Sequence, residues 1–275
     1  MPANLRPIAP PRAEPIRSAA IGRYRVALLP RAAYEAAYTA GQTVIGFAFE
    51  SQSGNHAFAS DRRTAFHTRP NSLAVVPAGC DVYSQSRQGG EYLTLAVSPR
   101  GDEPPAESRF NDCFDPAAME AAQALRRLLL IRLGWAPLTL EHHALTLETR
   151  AARALGGIAQ QPRAAGWMTR QRLRRIDDLI EARLGGPLTV QDLADALHLS
   201  AGFFARAFKA ATARSPHAYI LDRRIARARA RLLSAAPGDL SAIALDCGFA
   251  SHAHMTAAFR ARLGIAPSDL RPAAR

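Results

Sequence analysis

The stretch Leu188-Thr-Val-Gln-Asp-Leu-Ala-Asp-Ala-Leu-His-Leu-Ser200-Ala-Gly-Phe-Phe-Ala-Arg206-Ala-Phe-Lys209 reads as two short helices separated by a tight turn. Thr189 is placed to cap the first helix, whose apolar residues Leu193, Ala194 and Leu197 share one face. Ser200 is placed to cap the second, with Phe204, Ala207 and Phe208 on its inner side. This is the sequence form of a helix-turn-helix, in which the second helix is held out so that its N-terminal residues face a DNA major groove. One such pair says little by itself, because any small helical bundle contains neighbouring amphipathic helices.

The pattern occurs twice. Leu240 to Arg260 repeats it, with Ile243-Ala244 answering Leu193-Ala194 at an offset of 50. Ser251 answers Ser200, Phe259-Arg260 answers Phe208-Lys209 and Pro267 answers Pro216, all at 51, so the second turn carries one extra residue. A supersecondary unit repeated with its cap, core aromatic and trailing base in step marks an internal duplication of structure.

Residues 188 to 271 resemble the DNA-binding domain of the AraC/XylS regulators. The likeness rests on Leu193-Ala194, Leu199-Ser200, Phe208-Lys209, Ser215-Pro216, Tyr219, Arg224-Ile225, Ala228, Leu232-Leu233, Ile243-Ala244, Cys247-Gly248-Phe249, Ser251, Phe259-Arg260, Gly264 and Pro267. Two positions depart from the family pattern: Ala213 stands where the first repeat usually has glycine, and Leu270 where an aromatic usually precedes the arginine that is Arg271 here.

Formal net charge is +12, unevenly placed. Residues 166–275 hold 17 basic and 9 acidic side chains, net +8, against 18 and 14, net +4, in residues 1–165. The basic density coincides with the duplicated motif, as a phosphate-binding footprint requires. An Arg-rich composition would raise charge everywhere and accounts for a chain with Lys209 as its one lysine, but it does not produce this asymmetry.

Helical period also assigns the surface. In the first recognition helix, Ala201, Gly202, Ala205, Arg206 and Lys209 turn outward; in the second, His252, Ala253, Thr256, Ala257 and Arg260 do, following the cap Ser251. The family's base-reading positions carry over onto these places. Arg206 suits a bidentate contact to guanine, His252 and Thr256 can donate or accept, and Lys209 and Arg260 suit phosphate. The alanines and Gly202 offer close approach or contact with a thymine methyl, which implies modest specificity per subunit, supplemented by DNA shape or by dimerisation. A surface salt bridge is the structural alternative for Arg206.

The length of 275 residues accommodates about two domains. Residues 1–20, with five prolines, read as a mobile arm. From Thr43, short apolar or alternating runs predict strands at Val44–Phe49, Ala57–Ala59, Thr64–Phe66, Leu73–Val76, Val82–Ser84 and Tyr92–Val97. Ser53-Gly54-Asn55, Arg69-Pro70-Asn71, Pro77-Ala78-Gly79 and Gln88-Gly89-Gly90 read as the turns between them. Regular short strands suggest a sandwich or barrel, and ahead of an AraC-type half the region is similar to the family's cupin-like sensor domain, with Asn71 to Gly79 the closest stretch. Residues 99 to 116 read as a connecting loop. Asp115-Pro116 opens one helix, and a second is expected from Leu138 to Leu155.

The expected organisation is therefore an α+β chain of two domains: an arm at 1–20, a cupin-like sensor barrel at 21–112, connector helices at 113–160 that serve dimerisation, a linker at 161–168, and an all-α DNA-binding domain at 169–275. Its helix-turn-helix motifs fall at 189–210 and 239–262. Between them Ser215-Pro216 opens a helix reaching about Leu233, long enough to set the recognition helices about one DNA turn, roughly 34 Å, apart. The implied partners are double-stranded promoter DNA, a small-molecule effector, a second copy of the chain and RNA polymerase, with no cofactor.

A metal-dependent cupin enzyme is the rival reading. It needs two or three histidines and a carboxylate converging on one ion. The strand region offers only His56 and His67, and the one His-x-His, His252-Ala253-His254, lies on an expected helix, where residues two apart diverge. Cys80, Cys113 and Cys247 form no Cys-x-x-Cys pair, so a disulfide framework or zinc site is not expected. No apolar run approaches the roughly 20 residues of a membrane span, and a cytoplasmic location is expected.

Overall fold

The computed structural model describes residues 15–99, 109–131, 137–156, 166–233 and 239–270. The chain divides into two compact units, Met1–Gln160 and Gln161–Arg275.

Among its described residues the first unit contains ten strands and two helices. A six-stranded antiparallel sheet has the order β1-β2-β9-β4-β7-β10, from β1 (Arg17–Ile21), β2 (Tyr24–Leu29), β4 (Thr43–Ala48), β7 (Ser72–Val76), β9 (Tyr92–Val97) and β10 (Phe110–Cys113). A four-stranded sheet has the order β3-β8-β5-β6, from β3 (Tyr34–Thr39), β5 (Gln52–Phe58), β6 (Thr64–Thr68) and β8 (Asp81–Ser86). Period-two alternation turns Val26, Leu28, Ile45, Phe47, Leu73, Val75, Leu93 and Leu95 to one buried face of the larger sheet, and the pairings Val26↔Leu95, Leu95↔Ile45 and Ile45↔Val75 keep them in rank.

Helices cover that face. Asp115 accepts from the Ala118 N–H and Pro116 supplies the first helical position of α1 (Pro116–Leu130). The following helix, α2 (Pro137–Leu155), buries Leu140, Ala144, Leu147 and Ala151 at four- and three-residue spacing and touches β1, β2, β4, β7 and β10. Glu148 of α2 accepts from the Tyr24 hydroxyl at 2.7 Å and pairs with Arg23, while Arg126 of α1 pairs with the buried Glu91 beside β9.

The expected cupin-like barrel is not present. Both sheets are open, and among the described residues neither the β1 and β10 edges nor the β3 and β6 edges close on one another. The physical reason is that α1 and α2 bury the apolar face that closure would otherwise have to bury. Strand count differs too. Arg17–Ile21 begins inside the arm expected at 1–20, whose residues 1–14 are outside the described ones, and Phe110–Cys113 lies inside the expected loop. Ser53-Gly54-Asn55 is the middle of β5 and not a turn. Gly54 is there because a Cβ would sit 1.8 Å from the Gln85 carbonyl oxygen of the neighbouring strand. The turn expected at Asn71 does hold, with φ of 60°.

The second unit is helical: α3 (Arg170–Arg183), α4 (Val190–Asp195), α5 (Ala201–Thr212), α6 (Pro216–Leu233), α7 (Leu240–Asp246), α8 (His252–Leu263) and a 3-10 turn at Pro267–Leu270. One cluster, Met168, Leu173, Ile176, Ile180, Leu184, Leu193, Ala194, Phe204, Ala207, Phe208, Ala211, Tyr219 and Ile220, joins α3, α4, α5 and the start of α6. The second motif packs Ile243, Ala244, Phe249, Met255 and Phe259 in buried positions. The 18-residue α6 is about 27 Å long at 1.5 Å per residue and touches α5, α7 and α8. The linker expected at 161–168 lies outside the described residues up to 165.

Candidate nucleic-acid interface

The two helix-turn-helix motifs are built the same way up to one residue. In the first, Thr189 and Asp192 form a reciprocal capping box: the Thr189 side chain accepts from the Asp192 N–H, and Asp192 accepts from the Thr189 N–H at 2.7 Å. The Thr189 hydroxyl also donates to Asp192 Oδ2 at 2.7 Å, and this bond together with the one from the Thr189 N–H holds the Asp192 carboxyl below its ordinary value of 3.8. Asp239 caps α7 at the matching place, 50 residues on. Each chain reversal then uses one left-handed residue, His198 at φ 56° and Gly248 at φ 84°. Each closes with an equivalent bond, Leu199 N–H to Ala194 O and Phe249 N–H to Ala244 O, both 50 apart. The offset becomes 51 only at the caps Ser200 and Ser251, so the extra residue is Ala250.

That insertion is accommodated by a side chain. The Ala250 N–H donates to Nδ1 of His254, whose own N–H donates to the Ser251 hydroxyl, and the His254 ring stands edge-on to Phe249. The His254 ring thus holds the residue before the cap, one position earlier than the N–H that the third side chain of a capping box holds.

Arginines of α6 tie that helix to the end of α3. Arg223, only 5% exposed, donates from Nε and Nη2 to Glu181 of α3 at 2.9 and 2.6 Å. Arg224 donates to the Leu184 and Gly186 carbonyls, and Arg227 to the Glu181 carbonyl, satisfying acceptors at the end of α3. Burial pushes the Arg224 guanidinium below its usual range. Gly248 completes the joint, since a Cβ there would lie 2.2 Å from the Leu184 carbonyl oxygen and 2.6 Å from Arg224 Nε. Asp222 of α6 receives Arg262 of α8 at 3.2 Å and Arg214 at 3.3 Å.

Against this structural set stands a second group of cations. Arg206, Lys209 and Arg260 are exposed, and no described carboxylate pairs with them. A Cβ on Gly202 would lie 3.6 Å from Arg206 Nη1, so the guanidinium lies back along α5 toward its N-terminus. Gly202, Ser251, His252, Ala253 and Ala257 are exposed, while Ala201 and Ala205 are half-buried on α5. Thr256 is half-buried and its hydroxyl oxygen is shielded from solvent without a hydrogen-bond partner, so as placed it is turned toward the protein. On α5, Phe204, Ala207 and Phe208 are buried; on α8, Met255, Ala258 and Phe259 are.

In the first unit the two expected metal-ligand candidates have other partners. His67 Nδ1 meets the Ser53 hydroxyl at 2.8 Å, and His56 stacks on Phe66. Among the described residues, no group of three or more His, Cys, Asp or Glu is placed to hold a metal ion. The cysteines are free, Cys80 and Cys247 buried, with the Cys247 thiol raised by burial. No helix among the described residues is long and apolar enough to cross a membrane.

Residues 193–273 match the family described as helix-turn-helix domain. The C-terminal unit thus carries a helix-turn-helix domain. Over 93 residues the chain is 34% identical to the HTH-type transcriptional regulator ArgR of Pseudomonas aeruginosa, covering 34% of this chain and 28% of that protein. It is 32% identical over 93 residues to the probable transcriptional regulator LumQ of Photobacterium leiognathi, covering 34% of this chain and 37% of that one. The chain spans about a third of the length of these relatives. Among solved structures it is similar to a transcriptional regulator of the AraC-type DNA-binding class from Chromobacterium violaceum, at 31% identity over 37% of this chain and 89% of that chain, with a TM-score of 0.35.

Proposed function

We propose that this protein is a transcription regulator that recognises promoter DNA with α5 and α8 in successive major grooves. The observation that carries the reading is the sorting of cations in the second unit. Arg223 and Arg231 of α6 pair with Glu181 of α3 and Asp246 of α7, and Arg262 of α8 pairs with Asp222 of α6, whereas Arg206, Lys209 and Arg260 stand exposed on the two recognition helices with no described carboxylate against them. Exposed, unpaired cations on helices of this kind serve phosphates and guanine edges.

In this reading Arg206 reads a base, His252 supplies a second polar contact, Lys209 and Arg260 hold phosphates, and Ala201, Gly202, Ala205 and Ala253 allow close approach. Ser251 brings the N-terminus of α8 to the strand. The roughly 27 Å of α6 supports the spacing of the two helices. Regulation enters through the first unit, by a small-molecule effector or by self-association. Leu138, His142, Leu145, Thr149 and Ala152 form an exposed stripe along α2, with Leu138 78% and Leu145 44% exposed, on which a second copy is seated in this reading. Linking two short DNA contacts raises avidity without new ones.

The test is selection of bound fragments from a random duplex library by the full chain, followed by binding across a salt series. Enrichment of one sequence, with discrimination falling by about 1–3 kcal/mol in Arg206→Ala, is expected. Uniform binding of all fragments with a steep salt dependence and no effect of Arg206→Ala refutes sequence recognition.

A further inference from the structure

We propose that Trp167 and Arg172 form a separate clamp on the sugar-phosphate backbone beside the first recognition helix. This rests on the reading that α5 binds DNA, and it adds a contact from outside both helix-turn-helix motifs.

Trp167 precedes α3, and its ring stands edge-on to Phe203, centroids 5.0 Å apart and planes at 81°. Phe203 is on α5 three residues before Arg206, and helical period sets the two about 60° apart around the axis. The tryptophan therefore lies alongside the outward face of α5 and not behind it. It is also 41% exposed, whereas the next residue, Met168, is the one that enters the core at 2%. A side chain this large left open beside a binding helix is free to contribute area to a partner.

Arg172 fixes the ring and is fixed by it. Its guanidinium carbon lies 4.0 Å from the Trp167 ring centroid, and Nη1 donates to the Trp167 carbonyl at 2.8 Å. No described carboxylate pairs with Arg172, and the same holds for the exposed Arg170, Arg174 and Arg175 around it. Stacking on an aromatic face fixes the orientation of the planar guanidinium, and the N–H groups that Arg172 does not spend on the Trp167 carbonyl remain to take a phosphate. Four arginines between residues 170 and 175 give the patch the charge that a polyanion requires. The occupant that fits is a nucleic-acid backbone: the phosphate on Arg172 and the deoxyribose against Trp167.

The chain has two tryptophans, so in a Trp135→Phe background Trp167 is the only one and reports on its own contact. Full-length protein in this background is titrated with the duplex chosen by fragment selection, from 50 to 200 mM salt, alongside Arg172→Gln, Trp167→Phe and Arg206→Ala. Trp167 emission is expected to change in step with binding. Arg172→Gln is expected to weaken all duplexes equally, to leave their ranking unchanged, and to lower the salt slope by about one. At about 0.9 per phosphate, that shrinks the affinity ratio between 50 and 200 mM salt about threefold. Trp167→Phe, which keeps an aromatic on Phe203, is expected to weaken binding without altering circular dichroism. Binding that is sensitive to Arg206→Ala but has the same salt slope in Arg172→Gln, with no change in Trp167 emission at saturation, overturns the clamp alone. No duplex binding by the unaltered chain removes the DNA reading and the clamp together.

Discussion

Ala213 and Gly264 end the two recognition helices in the same left-handed backbone conformation, φ 55° and ψ 15° for the alanine, φ 74° and ψ 6° for the glycine. Only glycine adopts it without a Cβ penalty, which for other residues is about 1–2 kcal/mol. Ala213→Gly removes that penalty while giving the unfolded chain more freedom, worth about 0.4–1 kcal/mol, so a net stabilisation of about 0.5–1 kcal/mol is expected. Gly264→Ala reverses both effects and costs about the same. The alanine is tolerated because Thr212, where the second repeat has Leu263, braces the turn: its hydroxyl donates to Phe208 O at 2.9 Å and accepts from Arg214 N–H at 3.3 Å. The assay is urea unfolding of the full chain followed by circular dichroism at 222 nm. The midpoint is expected to rise in Ala213→Gly and fall in Gly264→Ala, with unchanged slope. Movement of both midpoints in the same direction, or a loss of stability in Ala213→Gly, refutes the assignment of strain to Ala213.

Gly248→Ala drives a Cβ to 2.2 Å from the Leu184 carbonyl oxygen at a φ of 84°, and a loss of about 3 kcal/mol in the same unfolding assay is expected from left-handed strain and overlap combined. The Asp192 carboxyl is lowered in the folded state, chiefly by Thr189, so the folded chain binds fewer protons there. The stability this cap contributes is complete above pH 3.8 and disappears as pH falls through the lowered value. Amide protection factors across α4, taken against the intrinsic exchange rate at each pH, are expected to fall in that acid window in the unaltered chain, and Asp192→Asn to remove the pH dependence. Leu145→Glu places a charge in the middle of the exposed α2 stripe, and sedimentation equilibrium is expected to show weaker self-association with an unaltered circular dichroism spectrum.

The second unit was legible because its signals are local. Caps at Thr189, Ser200 and Ser251, aromatics at Phe208 and Phe259, and the 50-to-51 slip are all short-range features, and the structure places the extra residue at Ala250. What spacing could not supply there is long-range pairing: Arg223 and Glu181 are 42 residues apart, and nothing local distinguishes that arginine from Arg206. The contact of Trp167 with Phe203 spans 36 residues of sequence and leaves no local signal. His254 was read as half of a poor chelate, and its hold on the residue before the cap became visible only with the Ala250 N–H beside it.

The first unit was less legible because sheets are decided by neighbours. Tyr34–Thr39 reads Tyr-Glu-Ala-Ala-Tyr-Thr and carries little apolar signal, yet it pairs along its whole length with β8. Gly54 looked like a turn residue and is instead a point of close approach between strands. Closure into a barrel depends on what pairs with the edges, and the apolar spacing of Leu140, Ala144, Leu147 and Ala151 does not say whether a helix will pack on a sheet or on a partner chain.

The most direct measurement is hydroxyl-radical footprinting of the full chain on its selected duplex, compared between the unaltered protein, Arg206→Ala and Arg260→Ala. Two protected patches about 10–10.5 base pairs apart on one side of the duplex are expected for each chain, with Arg206→Ala weakening one and Arg260→Ala the other. A single patch, or two that respond alike to both substitutions, contradicts the placement of α5 and α8 in successive major grooves.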